Sequence, residues 1–553
     1  MAVEEEHHSH EWYERALNLI SVVKPGEGKS CLLLSLNAAV LMACFYLLKV
    51  IREPLILSYG GAEFKSYATA YQALVLMALV PLFSYFYHRF SDSDVRSLIT
   101  NRVLLFFTSN LIIFTVLQFL GINIGMAFYV WLGIFSVMVI AQFWAFAADS
   151  YNVRCGQRLF VILAVGATFG SWLGSKLAGP IFPYIGIVGI MILATVLLLF
   201  SIVLTHRTPA TIPIAALNNE SPKDDDSLNK WLDGFTVVFQ SRYLMLIASF
   251  VMILVFINST GEYILARLVQ EQSVSLYDPS NKAAIEIWQG QFYSTYYSWI
   301  TLGSFVLQLF VVSRLISWIG LRGSVLILPG IMIIGYGMMM FFPIFSVIRY
   351  VMTMENSANY SIQNTTRHAL FLPVPRKQKY LGKTTIETFF YRLGDLFYGG
   401  FIFVSTQYFD LPISAFIISN LILAVFLFGL AIRVGYHNTL AKQKVFGNSA
   451  PELMASLPHL NMPMGKTSKF SISSDTFVDP DIGDALTYHA EQESGKPLPK
   501  WIQFDRISRT FAFNPPEDHS DTYVIKVVAT DYEGLTAACT LEVSFFKPKP
   551  QNA

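Results

Sequence analysis

The sequence predicts an all-α polytopic membrane protein, a bundle of twelve spans arranged six plus six, followed by a small C-terminal all-β sandwich. Three observations carry this. Of 553 residues, 54 % are hydrophobic and only 14 % charged, where soluble domains carry about 25 % charged residues. Twelve apolar runs between residues 31 and 434 are each long enough to cross a bilayer, which takes roughly 20 residues. Beyond Tyr436 the runs shorten, alternate and are parted by turn residues, as strands are. The four cysteines, Cys31, Cys44, Cys155 and Cys539, lie apart with no CxxC, so neither a disulfide framework nor a zinc site is expected. No nucleophile–base pair stands out, which argues against an enzyme. The net charge of +1 says nothing about partners, and no nucleic-acid partner is expected.

In chain order, residues 1–30 are a polar N-terminal segment. Glu4, Glu5, Glu6 and the His7, His8, His10 cluster read as a solvated tail. EWYERALNLISVV at 11–23 reads as a short amphipathic helix on the membrane surface. KPGEGKS at 24–30 ends like a phosphate loop, but Val23 stands where that pattern needs its first glycine, so it reads as a basic turn. Spans are expected at 31–57, 66–88, 102–120, 125–150, 158–179, 183–205, 243–266, 287–313, 323–341, 344–368, 384–406 and 411–434. Alternate loops are basic, with Arg89 and Arg96, then Arg154, then Arg207, Lys223 and Lys230, then Arg314 and Arg322, then Arg376, Lys377 and Lys379, then Lys442 and Lys444. The opposite loops GINIG, PIFPY and QYFDLP carry no Lys or Arg, with Lys65, Arg267 and Lys282 as exceptions on that side. The positive-inside rule puts both termini in the cytoplasm of a multi-pass protein of the cell (inner) membrane.

The charged connector 206–242, with SPKDDDSLNK at 221–230, separates a six-span half at 31–205 from another at 243–435. Residues 436–465 read as a linker containing Pro451, Pro458 and Pro463. Residues 466–548 read as a β-sandwich. TYVIKVVATD at 522–531 alternates, and further strands are expected near 468–473, 486–490, 501–504, 510–513 and 535–546.

Charges inside the first span raise the question of function. Lys49 and Arg52 share a helix face, with Glu53 beside them. They either snorkel to the interface or face a solute. Two six-span halves resemble the plan of the major facilitator superfamily, and that resemblance implies that spans one, four, seven and ten line a central path. Those spans hold Lys49 and Arg52, Gln142 and Asp149, Asn258 and Glu262, and Arg349, Glu355, Asn356, Asn359, Gln363 and Asn364. Glu355, Asn359 and Gln363 recur every four residues, a polar stripe. Buried ionisable groups in a membrane default to function. The competing reading is that Glu262 and Glu355 pair with Arg349 or Lys49 and only hold helices together. In span eleven, Glu387, Arg392 and Asp395 read as a gate or a structural pair. Gly166, Gly170 and Gly174 in span five form a close-packing ladder. Trp144, Tyr263, Tyr296 and Tyr297 read as packing aromatics with a capacity to stack on a ring.

Three stretches together, PGEGKS…LLKVIREPLIL, AQFWAFAADSYNVRCGQRLFVILAVGATFGSWLG and PVPRKQKYLGKTTIETFFYRLGD, resemble the ATP/ADP translocase family of plastids and obligate intracellular bacteria. The resemblance implies that Lys49, Glu262 and Lys383 match charged positions acting on a nucleotide. The family's acidic pair beyond FWxFA is replaced here by Arg154 and Cys155. DPDIGDALTYHA, LPKWIQFD, RTFAF and YVIKVVATDYEG resemble the cadherin-like, Ig-like domain of dystroglycan. That resemblance makes Asp479, Asp481, Asp484 and Asp531 candidate calcium ligands; an acidic turn is the plainer reading. The expectation is a secondary transporter for an anionic metabolite, nucleotides included, working by alternating access. Lys49 and Arg52 would attract the anion, Arg349 and Arg392 would add positive charge along the path, Glu262 and Glu355 would couple a counter-substrate or proton, and Asn359 and Gln363 would orient polar groups. The alternative is a membrane-anchored receptor or scaffold whose sandwich binds a protein partner or calcium.

Overall fold

The computed structural model describes residues 14, 21, 23, 27–90, 96–151, 153–208, 227–446, 449–480, 485–516, 522–532 and 534–547, with the side chains at 82–100, 149, 153, 154, 157, 227–232, 376, 377 and 442–446 outside that description. The surface helix expected at 11–23 falls almost wholly outside it. The chain divides into two compact units, 1–438 and 439–553.

The first unit is helical: α1 Gly28–Phe90, α2 Arg96–Phe119, α3 Gly125–Asp149, α4 Val153–Arg207, α5 Ser227–Gln240, α6 Arg242–Leu276, α7 Lys282–Val306, α8 Val312–Phe341, α9 Phe345–Ala358, α10 Asn364–Leu370, α11 Arg376–Thr385, α12 Tyr391–Gln407 and α13 Ile413–Phe446. Wide π turns at Leu307–Val311, Asn359–Gln363 and Ile386–Phe390 join α7 to α8, α9 to α10 and α11 to α12. Among the described residues, seven continuous helices are long and apolar enough to cross a membrane, and three of them, of 54, 50 and 60 residues, are long enough to cross twice. Glycine lets the chain reverse inside each of these three, at Gly60–Gly61, Gly186 and Gly320, where backbone angles leave the helical region. Glu53 and Lys65 lie either side of the first reversal, and their charged atoms are 2.8 Å apart. A straight helix would hold the two residues about 18 Å apart. With the helices that start at Phe345 and Arg376, twelve rods result. Large apolar side chains such as Phe106, Ile113, Phe119, Ile334 and Phe426 stay exposed on their outer faces, as a lipid-facing surface requires. The unit is a multi-pass membrane bundle.

Rods one and five pack through small residues. A side chain at Gly166, Gly170 or Gly174 would strike the backbone of Ser35, Ala39 or Ala43 in turn, so two four-residue ladders mesh. Gly170→Leu is therefore expected to destabilise the unit by more than the ~1–3 kcal/mol typical of overpacking, because the obstacle is backbone; thermal unfolding of the detergent-solubilised protein measures it. The connector is more structured than its charge implies: α5 lies against α11, with Gly234 beside Thr385 and the ring of Phe235 4.6 Å from that of Phe389.

The second unit is a sandwich of a four-stranded sheet, β2-β9-β8-β5, and a three-stranded sheet, β3-β7-β6, with β1 paired to β4. The strands are β1 Glu452–Leu453, β2 Leu460–Pro463, β3 Ser468–Ser471, β4 Phe477–Val478, β5 Thr487–Gln492, β6 Ile502–Asp505, β7 Thr510–Phe513, β8 Tyr523–Thr530 and β9 Thr536–Phe546. Alternation places Ile525, Val527 and Ala529 of β8 with Leu541 and Val543 of β9 against Phe511 and Phe513 of β7 in one core. Trp501 closes an end, edge-on to Tyr523 and Phe545. β1 and β2 fall inside the stretch read as linker. β2 is an edge strand paired parallel to β9 and ending on Pro463, a place where a missing N–H does no harm.

Candidate substrate path

The first reversal brings the end of rod one against the start of rod two, and rods seven, eight and ten close around them. Glu53 is 0 % exposed. Its carboxylate touches the Arg52 guanidinium, lies 2.8 Å from Lys65 Nζ and accepts a 2.9 Å hydrogen bond from the Tyr297 hydroxyl. Lys65 also lies 3.7 Å from Glu262 Oε2. Glu262 Oε1 accepts from Tyr296 at 2.8 Å and from Asn356 Nδ2 at 3.0 Å. Asn258 Nδ2 donates to Glu355 Oε1 at 3.3 Å and to Asn356 Oδ1 at 3.4 Å. A continuous chain of polar contacts thus runs from Arg52 in rod one to Glu355 in rod ten. Buried charges are found paired because an isolated one is strongly disfavoured, and two cations interleaved with two carboxylates satisfy that condition.

Lys49 stands one helical turn before Glu53. Its ammonium has aromatic faces as partners, with ring centroids of Tyr297, Tyr46 and Tyr360 at 4.3, 5.3 and 5.7 Å, and makes no ion pair among the described residues. Arg52 stacks on Tyr129 at 4.3 Å. Neither snorkels.

The other expected residues disperse. Gln142 lines a small cavity with Leu41, Val103, Leu104, Val139, Phe143 and Thr205, inside the first six rods. The side chains of Asp149 and Arg154 lie outside the described residues. Arg349 stacks on the exposed Tyr350 ring at 5.0 Å and pairs with neither Glu262 nor Glu355. The π turn at Asn359–Gln363 breaks the four-residue stripe: Asn359 is half-buried at its start, and Gln363 is buried at its end with neither end of its amide hydrogen-bonded. Lys383 and Arg367 are charge neighbours of Glu387, whose carboxylate lies 3.3 Å from His368. Glu387 therefore stands apart from Arg392 and Asp395, which pair with each other at 3.4 Å while Ser259 donates to Asp395 at 2.9 Å.

Residues not chosen from the sequence complete the site. Lys65, read as an outer-loop exception, is buried at its centre. Tyr296 and Tyr297, read as packing, hold the two carboxylates, and Tyr293 presents its ring 5.6 Å from Lys65.

Polar ties between the first six rods and the last six cluster at the end away from the connector. Besides the Glu53 and Glu262 contacts, Ala62 N donates to Gln270 Oε1 at 3.0 Å, Ser66 meets Tyr398 at 2.6 Å, Gly179 N donates to Ser294 Oγ at 2.8 Å, and Ser294 donates to the Ser175 carbonyl at 2.6 Å. Lys49 lies on the connector side of this clamp.

The helical fold has known counterparts. The chain matches the crystal structure of a mutant of nucleoside transporter NupG with a TM-score of 0.53 at 12 % identity, over 74 % of this chain and 99 % of that one. The helical unit has the major-facilitator fold. The human organic anion transporter MFSD10 (TETRAN) matches at 0.50 and 13 % identity, over 74 % and 100 % of the two chains, and an auto-inhibited POT family peptide transporter at 0.51 and 10 %, over 75 % and 97 %. Identities this low carry the fold alone. Residues 454–545 match the family model He_PIG, "Putative Ig domain", in keeping with the sandwich. No curated protein matches the chain in sequence. Within this bundle the Glu53–Lys65–Glu262 chain joins the first six rods to the last six.

In the sandwich, Asp531 holds a turn together, its Oδ1 accepting from Leu535 N at 2.8 Å between β8 and β9. Asp481 and Asp484 lie outside the described residues, and the described ones hold no cluster of three or more metal-ligating side chains. Cys539 is buried on β9, and burial pushes its thiol up to about 11.

Proposed function

We propose that this chain is a secondary transporter that moves a small anionic solute by alternating access, with Lys49 as the cation that receives it. One observation carries the reading: Lys49 is a charge at bilayer depth, half-buried, ringed by tyrosines from three rods and within ion-pair distance of no carboxylate among the described residues. Such a charge is costly unless something neutralises it, and an anion entering from the connector side reaches it before the clamp. The clamp of Glu53, Lys65 and Glu262 would close the far end and open when the two sets of rods rock apart. Glu262 and Glu355 would carry the coupling charge, and the translocase resemblance keeps nucleotides among the anions to be tried.

A thiol lock tests this. In a Cys155→Ser background, Ala62→Cys and Gln270→Cys are combined and the protein is placed in proteoliposomes with labelled organic anions and nucleotides. Saturable flux of at least one anion is expected, stopped by oxidation and restored by reduction. Flux that persists through a completed crosslink excludes rocking at this clamp.

A further inference from the structure

Resting on that reading, we infer that the substrate is a singly charged organic anion with a flat, weakly polar body, of the aromatic or unsaturated monocarboxylate class, and not a polyphosphate nucleotide. Charge in a buried site must balance. Arg52, Glu53, Lys65 and Glu262 make one contiguous chain with two cations and two carboxylates. Should solute or a conformational change break it, both cations are released, but both carboxylates are released with them, and the sum stays zero. Arg392 and Asp395 cancel in the same way. Beside the Arg52–Glu262 chain and the Arg392–Asp395 pair, which each sum to zero, Lys49 is the positive charge in surplus, while Arg349 lies near the start of its rod on an exposed ring and Lys383 and Arg367 gather at Glu387. Glu355, whose charged neighbour is Glu262, can only subtract from that surplus. One surplus charge neutralises one carboxylate. A nucleoside di- or triphosphate would leave several charges unmatched in a low-dielectric interior, which is strongly disfavoured.

The walls point the same way. Tyr360 contacts Lys49 and is 45 % exposed, which leaves part of its ring free for a solute. Tyr46 and Tyr297 present further rings to the same ammonium. Tyrosine faces suit a flat body and their hydroxyls tolerate a few polar atoms. Arginine is the side chain that clamps phosphate bidentately, and the arginine at hand, Arg52, is held by Glu53 and stacked on Tyr129.

The full-length protein is titrated in detergent with benzoate, cinnamate and sorbate, and separately with ADP and ATP, reading thermal shift; the same anions then compete in proteoliposome counterflow. At least one monocarboxylate is expected to bind and compete while ADP and ATP do neither. Lys49→Gln should weaken binding by about tenfold or more and Lys49→Arg should keep most of it, both variants unfolding cooperatively without ligand. ADP or ATP binding as well as the monocarboxylates, or the two variants behaving alike, overturns the substrate class and leaves a transporter standing. A protein that unfolds cooperatively but neither binds nor moves any anion tried overturns the class and the transport reading together.

Discussion

Replacing Glu53 by glutamine is expected to spring the clamp. The substitution leaves Arg52 and Lys65, whose side chains are 13 % and 5 % exposed, facing each other across a neutral amide. Removing one partner of a buried ion pair typically costs ~3–5 kcal/mol, and here the cost falls on the clamped state alone. Since every 1.4 kcal/mol is about tenfold in population, the balance should shift toward the unclamped form by roughly a hundredfold or more. The reporter is a cysteine at Ala62, 4 % exposed beside Gln270 in the clamped form: a maleimide should label it much faster in Glu53→Gln than in the parent. Adding Lys65→Gln removes the surplus charge as well, so the double variant should label more slowly than Glu53→Gln alone, the non-additivity that contacting residues show. Equal labelling in all three, with size-exclusion profiles confirming intact protein, would refute the clamp.

The fold is more legible in the sequence than the site is, and the two have separate physical causes. Span length and loop charge are properties of the linear sequence, and the bilayer permits few ways to satisfy a backbone, so the twelve rods follow closely from apolar runs. The site depends on which rods touch. Lys65 reads as an outer-loop residue when the second span is taken to begin at residue 66; glycines at 60 and 61 reverse the chain so tightly that Lys65 already lies in rod two, facing Glu53. The stripe of Glu355, Asn359 and Gln363 presupposes 3.6 residues per turn, and a π turn begins at Asn359. Asn356, one position off that stripe, is the residue that reaches Glu262. Arg349 and Gln142 show the limit of counting polar residues per span: the first sits near the start of its rod on an exposed ring and the second faces its own set of six. Nothing in the spacing of Tyr296 and Tyr297 distinguishes hydroxyls that hold carboxylates from rings that pack. In the sandwich, Pro463 invites the linker reading, and only the edge position of β2 makes it a strand residue.

The two remaining carboxyls of the path should respond oppositely to the same conservative change. Glu262 accepts two hydrogen bonds and faces Lys65, so Glu262→Gln replaces a charge contact and a charged acceptor with a weaker one; a loss of about 1–3 kcal/mol in stability is expected. Glu355 is 0 % exposed, accepts a hydrogen bond from Asn258, and has no cation within ion-pair distance among the described residues. A carboxylate charge there has a hydrogen bond but no cation to offset its burial. Glutamine keeps the shape and an acceptor for Asn258 while removing any such charge, so Glu355→Gln should unfold at the same temperature as the parent or higher. If Glu355 carries the coupling charge, the variant should still exchange labelled solute in counterflow, which needs no net driving force, but should no longer accumulate it against a gradient. The combination matters because a purely structural role predicts the reverse: a Glu355→Gln protein that melts earlier yet still concentrates its solute would place Glu355 among the residues that merely join rods seven and ten, and would leave Glu262 to do the coupling alone.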